Sequence, residues 1–259
     1  MSISLLEVFV LIASAFAAGV VNSVAGGGTL LTFPALLYFG RLDAVLANAT
    51  STVSLVPASI SGAWGFRREL EGSGRWIRLL IGPSIVGGIL GSLLVTLLPK
   101  SFFNALVPWL LLTAALLFML QPWLSKRFVL HPTEGEPSRK LQTAAVVFQL
   151  IVAIYGGYFG AGIGILMLSS LAFMGLGNIH RMNAIKTVLG TLINGTSVVI
   201  FIASGLVVWQ LALPMAVGGL LGGYVGASVG RLLPKGLIRW FVILVGLGLA
   251  GYYFMKPAG

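Results

Sequence analysis

The chain has no cysteine, only two histidines and only six acidic residues among its 259. Without cysteine there is no disulfide framework, no thiol nucleophile and no thiolate metal site. No histidines stand paired at ligand spacing, and neither a serine elbow nor a Walker lysine occurs. No metal site, cofactor or catalytic pair is therefore expected, and the chain does not read as an enzyme. Charged residues make up 8% of the sequence against 58% hydrophobic ones, with a mean hydropathy of +1.02. A soluble core cannot hide that much apolar surface, so the composition predicts an all-α polytopic membrane protein with the lipid bilayer as its partner. Glu7 is the only acid inside a span and lies near its beginning. No mid-span carboxylate is offered as a proton carrier.

The net charge of +10 suggests nucleic acid at first sight. The basic residues sit at the ends of apolar segments, however, which is the pattern of membrane topology, and no nucleic-acid partner is expected. Apolar segments run roughly over 3–24, 29–39, 44–66, 77–98, 102–124, 141–159, 163–175, 182–203, 206–230 and 236–255. The first lacks a basic leader and reads as a retained span, not a cleaved signal. Two segments, 29–39 and 163–175, are too short to cross about 30 Å of hydrocarbon as α-helices.

The short segments occupy matching places. A shift of 135 superposes Leu97-Leu98-Pro99-Lys100 on Leu232-Leu233-Pro234-Lys235, Gly87, Gly88 and Gly91 on Gly222, Gly223 and Gly226, and Asn48-Ala49 on Asn183-Ala184. This predicts two halves of about five membrane segments, 1–125 and 141–259, joined by a polar linker over 126–140 that contains His131. If all ten segments cross, thirteen of the sixteen basic residues fall on one side, leaving Arg41, Lys100 and Lys256 on the other. If the short segments enter and leave on one side, the bias disappears. The positive-inside rule thus favours an odd number of crossings per half, inverted repeats, outside termini and a cytoplasmic linker. A re-entrant pair beside three full crossings has the same parity. Paired short, glycine-interrupted segments in inverted repeats point to a binding site near the midplane.

The candidate site follows from those interruptions. Asn22 precedes Gly26, Gly27, Gly28 and Thr29 in the first half; Gly160, Gly162 and Gly164 repeat the device in the second. Glycines let the chain leave helical geometry, and helices restarting there would aim free N–H groups and positive dipole ends at an anion. The alternative is that these glycines only permit tight helix crossing. The following segments carry Asn48, Ser51, Thr52 and Ser59, matched by Asn183, Lys186, Thr187 and Asn194, each set spaced for one helical face. Lys186 replaces Ser51 in charge. It either attracts an anionic substrate or snorkels to the interface beside His180 and Arg181. Gly222, Gly226 and Gly230 form a small-residue face suited to helix packing or to a homodimer seam.

The sequence around the triplet, Ala25-Gly26-Gly27-Gly28-Thr29-Leu30-Leu31-Thr32-Phe33-Pro34, then Ala49-Thr50-Ser51, GYFGAGIGILML and NAIKTVLGTLINGTS, resembles the TauE/SafE sulfite-exporter family over essentially the whole chain. The resemblance implies a multi-pass transporter of the bacterial inner membrane for sulfite, sulfonates such as sulfoacetate, or related small anions. Where many family members repeat a Thr-Ser pair in the second half, this chain has Ile185-Lys186. An anion channel using the same cradle is the alternative reading.

Overall fold

Every peptide N–H and C=O that lies in hydrocarbon needs an internal partner, and helices supply it within one segment. The computed structural model of the protein describes residues 4–24, 26–128, 138–176, 178–229 and 235–255, and all the regular structure among them is helical. The helices are α1 (Leu5–Val24), α2 (Thr29–Tyr38), α3 (Ala44–Gly65), α4 (Gly74–Leu97), α5 (Lys100–Phe128), α6 (Arg139–Tyr158), α7 (Ile163–Phe173), α8 (Ile179–Ala203), α9 (Trp209–Val229) and α10 (Lys235–Met255), with a 3-10 turn at Arg67–Leu70. Seven of them are long and apolar enough to span a bilayer; α2, α7 and the described apolar part of α10 are shorter. Helix α5 runs on past 125 to Phe128, and α6 already starts at Arg139. Residues 129–137 of the expected linker, with His131, lie outside the described residues, as do Gly230, Arg231 and Lys256.

Polar caps set the helix starts. The Asp43 carboxylate accepts from the N–H of Leu46 at 2.9 Å before α3, and the Asn178 side chain accepts from the N–H groups of His180 and Arg181 before α8. Each occupies orphan donors of a first turn, typically worth about 1 kcal/mol. At ten residues, α2 is about 15 Å long. It brings the chain back to the end from which α1 started, where Arg41 meets Glu7 at 2.9 Å and Lys100 meets Asp43 at 2.9 Å. Each pair has an exposed cation, so each contributes no more than about 1 kcal/mol; they mark this end more than they hold it. At the opposite end the turn after Leu70 rests on α8, and a Cβ at Gly72 would lie 3.2 Å from the Arg181 guanidinium.

The long-range packing runs across the halves. Helix α1 lies along α9, α4 along α6, and α5 along α10, while α3 and α8 meet each other in the middle. Lipid tails are as apolar as leucine, so helices here associate through close backbone approach. A Cβ at Gly19 would sit 2.5 Å from the Gly219 carbonyl oxygen, and one at Gly87 would sit 2.8 Å from that of Leu150. A Cβ at Gly226 would be 2.8 Å from the Cα of Val20. The Gly222–Gly226 face is therefore taken up inside the chain by α1. Two apolar clusters fill the interior: one around Phe33, Phe103, Phe118, Phe159 and Phe201, the other around Leu80, Val152, Met167, Leu189 and Ile193. Leu213, Val217 and Leu221 of α9 are exposed, as a lipid-facing surface requires.

Candidate functional site

Two interruptions of the helical backbone meet inside the molecule. Between α1 and α2, Gly26 is left-handed with φ +74°, and its N–H closes onto the carbonyls of Val21 and Asn22 at 3.2 and 3.0 Å. The other two glycines of the triplet have a different cause. Gly28 is right-handed, φ −57°. A Cβ at Gly27 would run into the ring of Phe118, and one at Gly28 would lie 2.5 Å from the Ala18 carbonyl oxygen. Gly26 is thus there for conformation, and Gly27 and Gly28 for room.

Between α6 and α7, Gly160 and Gly162 are left-handed at φ +82° and +81°. The Tyr155 hydroxyl donates to the carbonyl of Ala161 at 2.8 Å and fixes the turn. Gly164 supplies the point of contact, since a Cβ at Gly26 would lie 2.7 Å from the Gly164 Cα. Beside them Phe33 and Phe159 pack edge to face at 5.3 Å.

Restarting helices leave donors unused. The first bonds of α2 run from Leu30 to Gly27 and from Leu31 and Thr32 to Gly28. The N–H groups of Gly27, Gly28 and Thr29 find no acceptor among the described residues. At α7 the first bond is Ile165 N–H to Gly162 at 3.1 Å, and the N–H groups of Ile163 and Gly164 are likewise unclaimed there. Both helix starts, with their positive dipole ends, converge on one region of the interior.

A cavity of about 30 Å³ lies there. It is lined by Asn22, Gly26, Thr29, Thr52, Gly160, Gly164, Lys186, Thr187 and Asn194, all nine named from the sequence as candidates. Ser59 is also in the lining and accepts from the Asn22 side-chain amide at 3.1 Å. Thr52 and Thr187 each donate one turn back along their helices, to the Asn48 and Asn183 carbonyls at 2.9 and 2.7 Å. Their oxygens keep acceptor and lone-pair capacity toward the space. The Lys186 Nζ is buried, with 3% of the residue exposed, and has no hydrogen-bond partner among the described residues. No carboxylate lines the cavity. An ammonium placed there has no counter-charge among the described residues, a situation that costs several kcal/mol unless a ligand supplies one.

Six sequence candidates stand outside the lining. Gly27, Gly28 and Gly162 shape the breaks from behind. Ser51 is fully buried and shares a 2.6 Å hydrogen bond with the Thr32 hydroxyl, tying α3 to α2. The Asn48 amide donates across the halves to the Tyr158 carbonyl at 3.0 Å, bracing the end of α6. Asn183 donates to the Ile179 carbonyl at 3.0 Å on its own helix. The lining also includes Leu55, Ile163, Met167 and Gly190, which the sequence reading did not name. Leu55 and Gly190 lie three residues after Thr52 and Thr187, so helical spacing alone could have found them.

Among known proteins, the family model described as Sulfite exporter TauE/SafE matches residues 11–253. A "Probable membrane transporter protein" of Haemophilus influenzae is 29% identical over 235 residues, covering 89% of this chain and 88% of that protein. The Escherichia coli K12 "Probable membrane transporter protein YfcA" is 33% identical over 241 residues, 89% and 83% of the two chains. No solved structure matches.

The backbone geometry yields a direct expectation. Gly26→Ala forces a side chain into the left-handed region and against Gly164, at a cost of roughly 1–3 kcal/mol. The melting temperature of the purified variant should fall clearly below that of a Gly248→Ala control, whose Cβ meets nothing within 4 Å. Equal melting temperatures would show that the two breaks are not in contact.

Proposed function

The chain belongs to the TauE/SafE sulfite exporter family, and from that premise we propose that it is a secondary transporter, an exporter, of a small anion such as sulfite, sulfoacetate or another organosulfonate. The observation that carries this reading is the buried, partnerless Lys186 Nζ in a cavity between two helix starts. Neutral donors surround it: the backbone N–H groups at the starts of α2 and α7, the hydroxyl of Thr29, and the amides of Asn22 and Asn194. One fixed positive charge with several neutral donors suits an anion that carries several acceptor oxygens. None of the four described acids, Glu7, Asp43, Glu69 and Glu71, lines the cavity, and Glu7 and Asp43 are already paired with Arg41 and Lys100 at one end of the molecule.

Alternating access is favoured over an anion channel by the size of the site. About 30 Å³ admits roughly two waters at ~10–15 Å³ each. An oxyanion of four or more heavy atoms needs the helices around Lys186 to part, and a channel would hold a wider path open. Residues 1–125 and 141–259 are read as inverted repeats whose short helices α2 and α7 meet near the midplane, with a cytoplasmic linker and outside termini in a bacterial inner membrane. Support comes from the exchanged packing of α1 on α9 and α4 on α6, which an approximate twofold relation between the halves produces. Further support comes from the caps Asp43 and Asn178, which stand at the same 135-residue offset as the repeated motifs.

Two experiments follow. In proteoliposomes, labelled sulfite or sulfoacetate should show counterflow, and Lys186→Gln should abolish both counterflow and the rise in melting temperature caused by those anions. Stabilisation by neutral solutes alone, or an unchanged anion effect in the variant, would remove Lys186 and the anion from the account. For topology, the absence of native cysteine gives a clean background: a membrane-impermeant maleimide applied to intact cells should label Ser204→Cys and spare Glu71→Cys. Labelling of both from the same side would contradict inverted halves.

A further inference from the structure

A second cavity, of about 480 Å³, opens at the end of the molecule that carries the 3-10 turn, between the last turns of α3 and α9. Its volume is in the range of ligand clefts, about 300–1,000 Å³. Its rim holds Arg67 and Arg68. Arg67 is already oriented: its Nη1 donates to the Trp64 carbonyl at 2.9 Å, and its guanidinium stacks over the Trp64 indole at 4.7 Å. One donor of the five is spent, and the others remain for an oxyanion. Glu69 is the only acid in the lining, and it has an interaction of its own.

The floor is rigid and shallow. A Cβ at Gly65 would be 2.6 Å from that of Ala227, and the Ser61 hydroxyl donates to the Leu220 carbonyl at 3.2 Å, so α3 and α9 are held together beneath the groove. Trp64 and Tyr224 flank it, 67% and 62% exposed. Amphipathic rings in that state, at the ends of spans, belong at headgroup depth. From the groove an exposed apolar strip continues along both helices, through Ile60 on α3 and Leu221 and Val217 on α9. Cations at the rim, aromatic rings at the edge and a greasy strip leading away from them match one kind of molecule from head to tail.

We propose that this groove binds an anionic phospholipid, its phosphate held by Arg67 and Arg68 and its acyl chains lying along the Ile60 and Val217–Leu221 surface. A free phosphate would use only the rim and leave the strip unoccupied. The site is separate from the Lys186 cavity, and none of its residues lines that cavity.

Native mass spectrometry of the full-length protein titrated with phosphatidylglycerol or phosphatidylcholine of identical chains tests this. The wild type should take up phosphatidylglycerol at lower concentration, and each arginine changed to glutamine should weaken that uptake about fivefold. Arg67→Gln/Arg68→Gln should erase the headgroup preference, and millimolar inorganic phosphate should leave it intact. Arg68→Gln alone serves if the double variant does not fold, because Arg68 is not engaged with Trp64. Equal uptake of the two lipids by the wild type, unchanged phosphatidylglycerol uptake in the variants, or displacement by inorganic phosphate would each overturn the assignment.

Discussion

Backbone amides with no acceptor among the described residues, brought together in the interior of a membrane protein, are the constraint around which the rest of this fold is arranged. Hydrocarbon gives such groups no water, so broken helices survive only where protein or a polar ligand receives them. Here the turn at Gly26 is pressed on the start of α7 at Gly164. The donors that the turns release share one small polar cavity with an unpaired lysine. The Tyr155 hydroxyl on Ala161 and the Asn48 amide on Tyr158 hold the second break in place. The ring of Phe118 and the carbonyl of Ala18 hold the first against the space left by Gly27 and Gly28. These supports are apolar packing or neutral hydrogen bonds, and none of them supplies negative charge to Lys186.

The same economy governs the scaffold. Glycine-to-backbone contacts such as Gly19 on Gly219 and Gly87 on Leu150 place each half's first helix against the other half's fourth. Helices α3 and α8 pack on each other and bear Thr52 and Lys186 on the cavity side. Small side chains fill the glycine-lined seams: a Cβ at Gly87 would also meet that of Ala153 at 2.5 Å, and the Ser23 hydroxyl donates to the Gly223 carbonyl at 3.0 Å. The ion pairs Glu7–Arg41 and Asp43–Lys100 sit at one end only. The positions 135 residues on from Glu7, Arg41 and Asp43 hold Gln142, Leu176 and Asn178, so the two ends are not electrostatically equivalent.

Much of this was legible before any coordinates. Segment length identified α2 and α7 as short, and glycine clustering located both breaks to within a residue or two, because hydrocarbon thickness and backbone sterics act through local sequence. The spacing of Thr52 and Ser59, and of Lys186, Thr187 and Asn194, put them on the cavity-facing sides of α3 and α8. What the sequence could not tell was which member of each polar set is spent on structure. Asn48 and Ser51 share the helical face of Thr52, but their partners, Tyr158 and Thr32, lie on other elements. Only the packing of those elements decides that they brace the fold and do not line the cavity. The triplet Gly26-Gly27-Gly28 was hidden in the same way, since one glycine serves φ and two serve clearance from Phe118 and Ala18.

The central claim is that the cavity between the two helix starts receives an anion. Anomalous diffraction from crystals of the protein grown with bromide tests it most directly. The account predicts a bromide peak inside the cavity, within hydrogen-bonding reach of the Lys186 Nζ and of N–H groups at the start of α2 or α7. Peaks confined to the surface arginines, with none in the cavity, would contradict it.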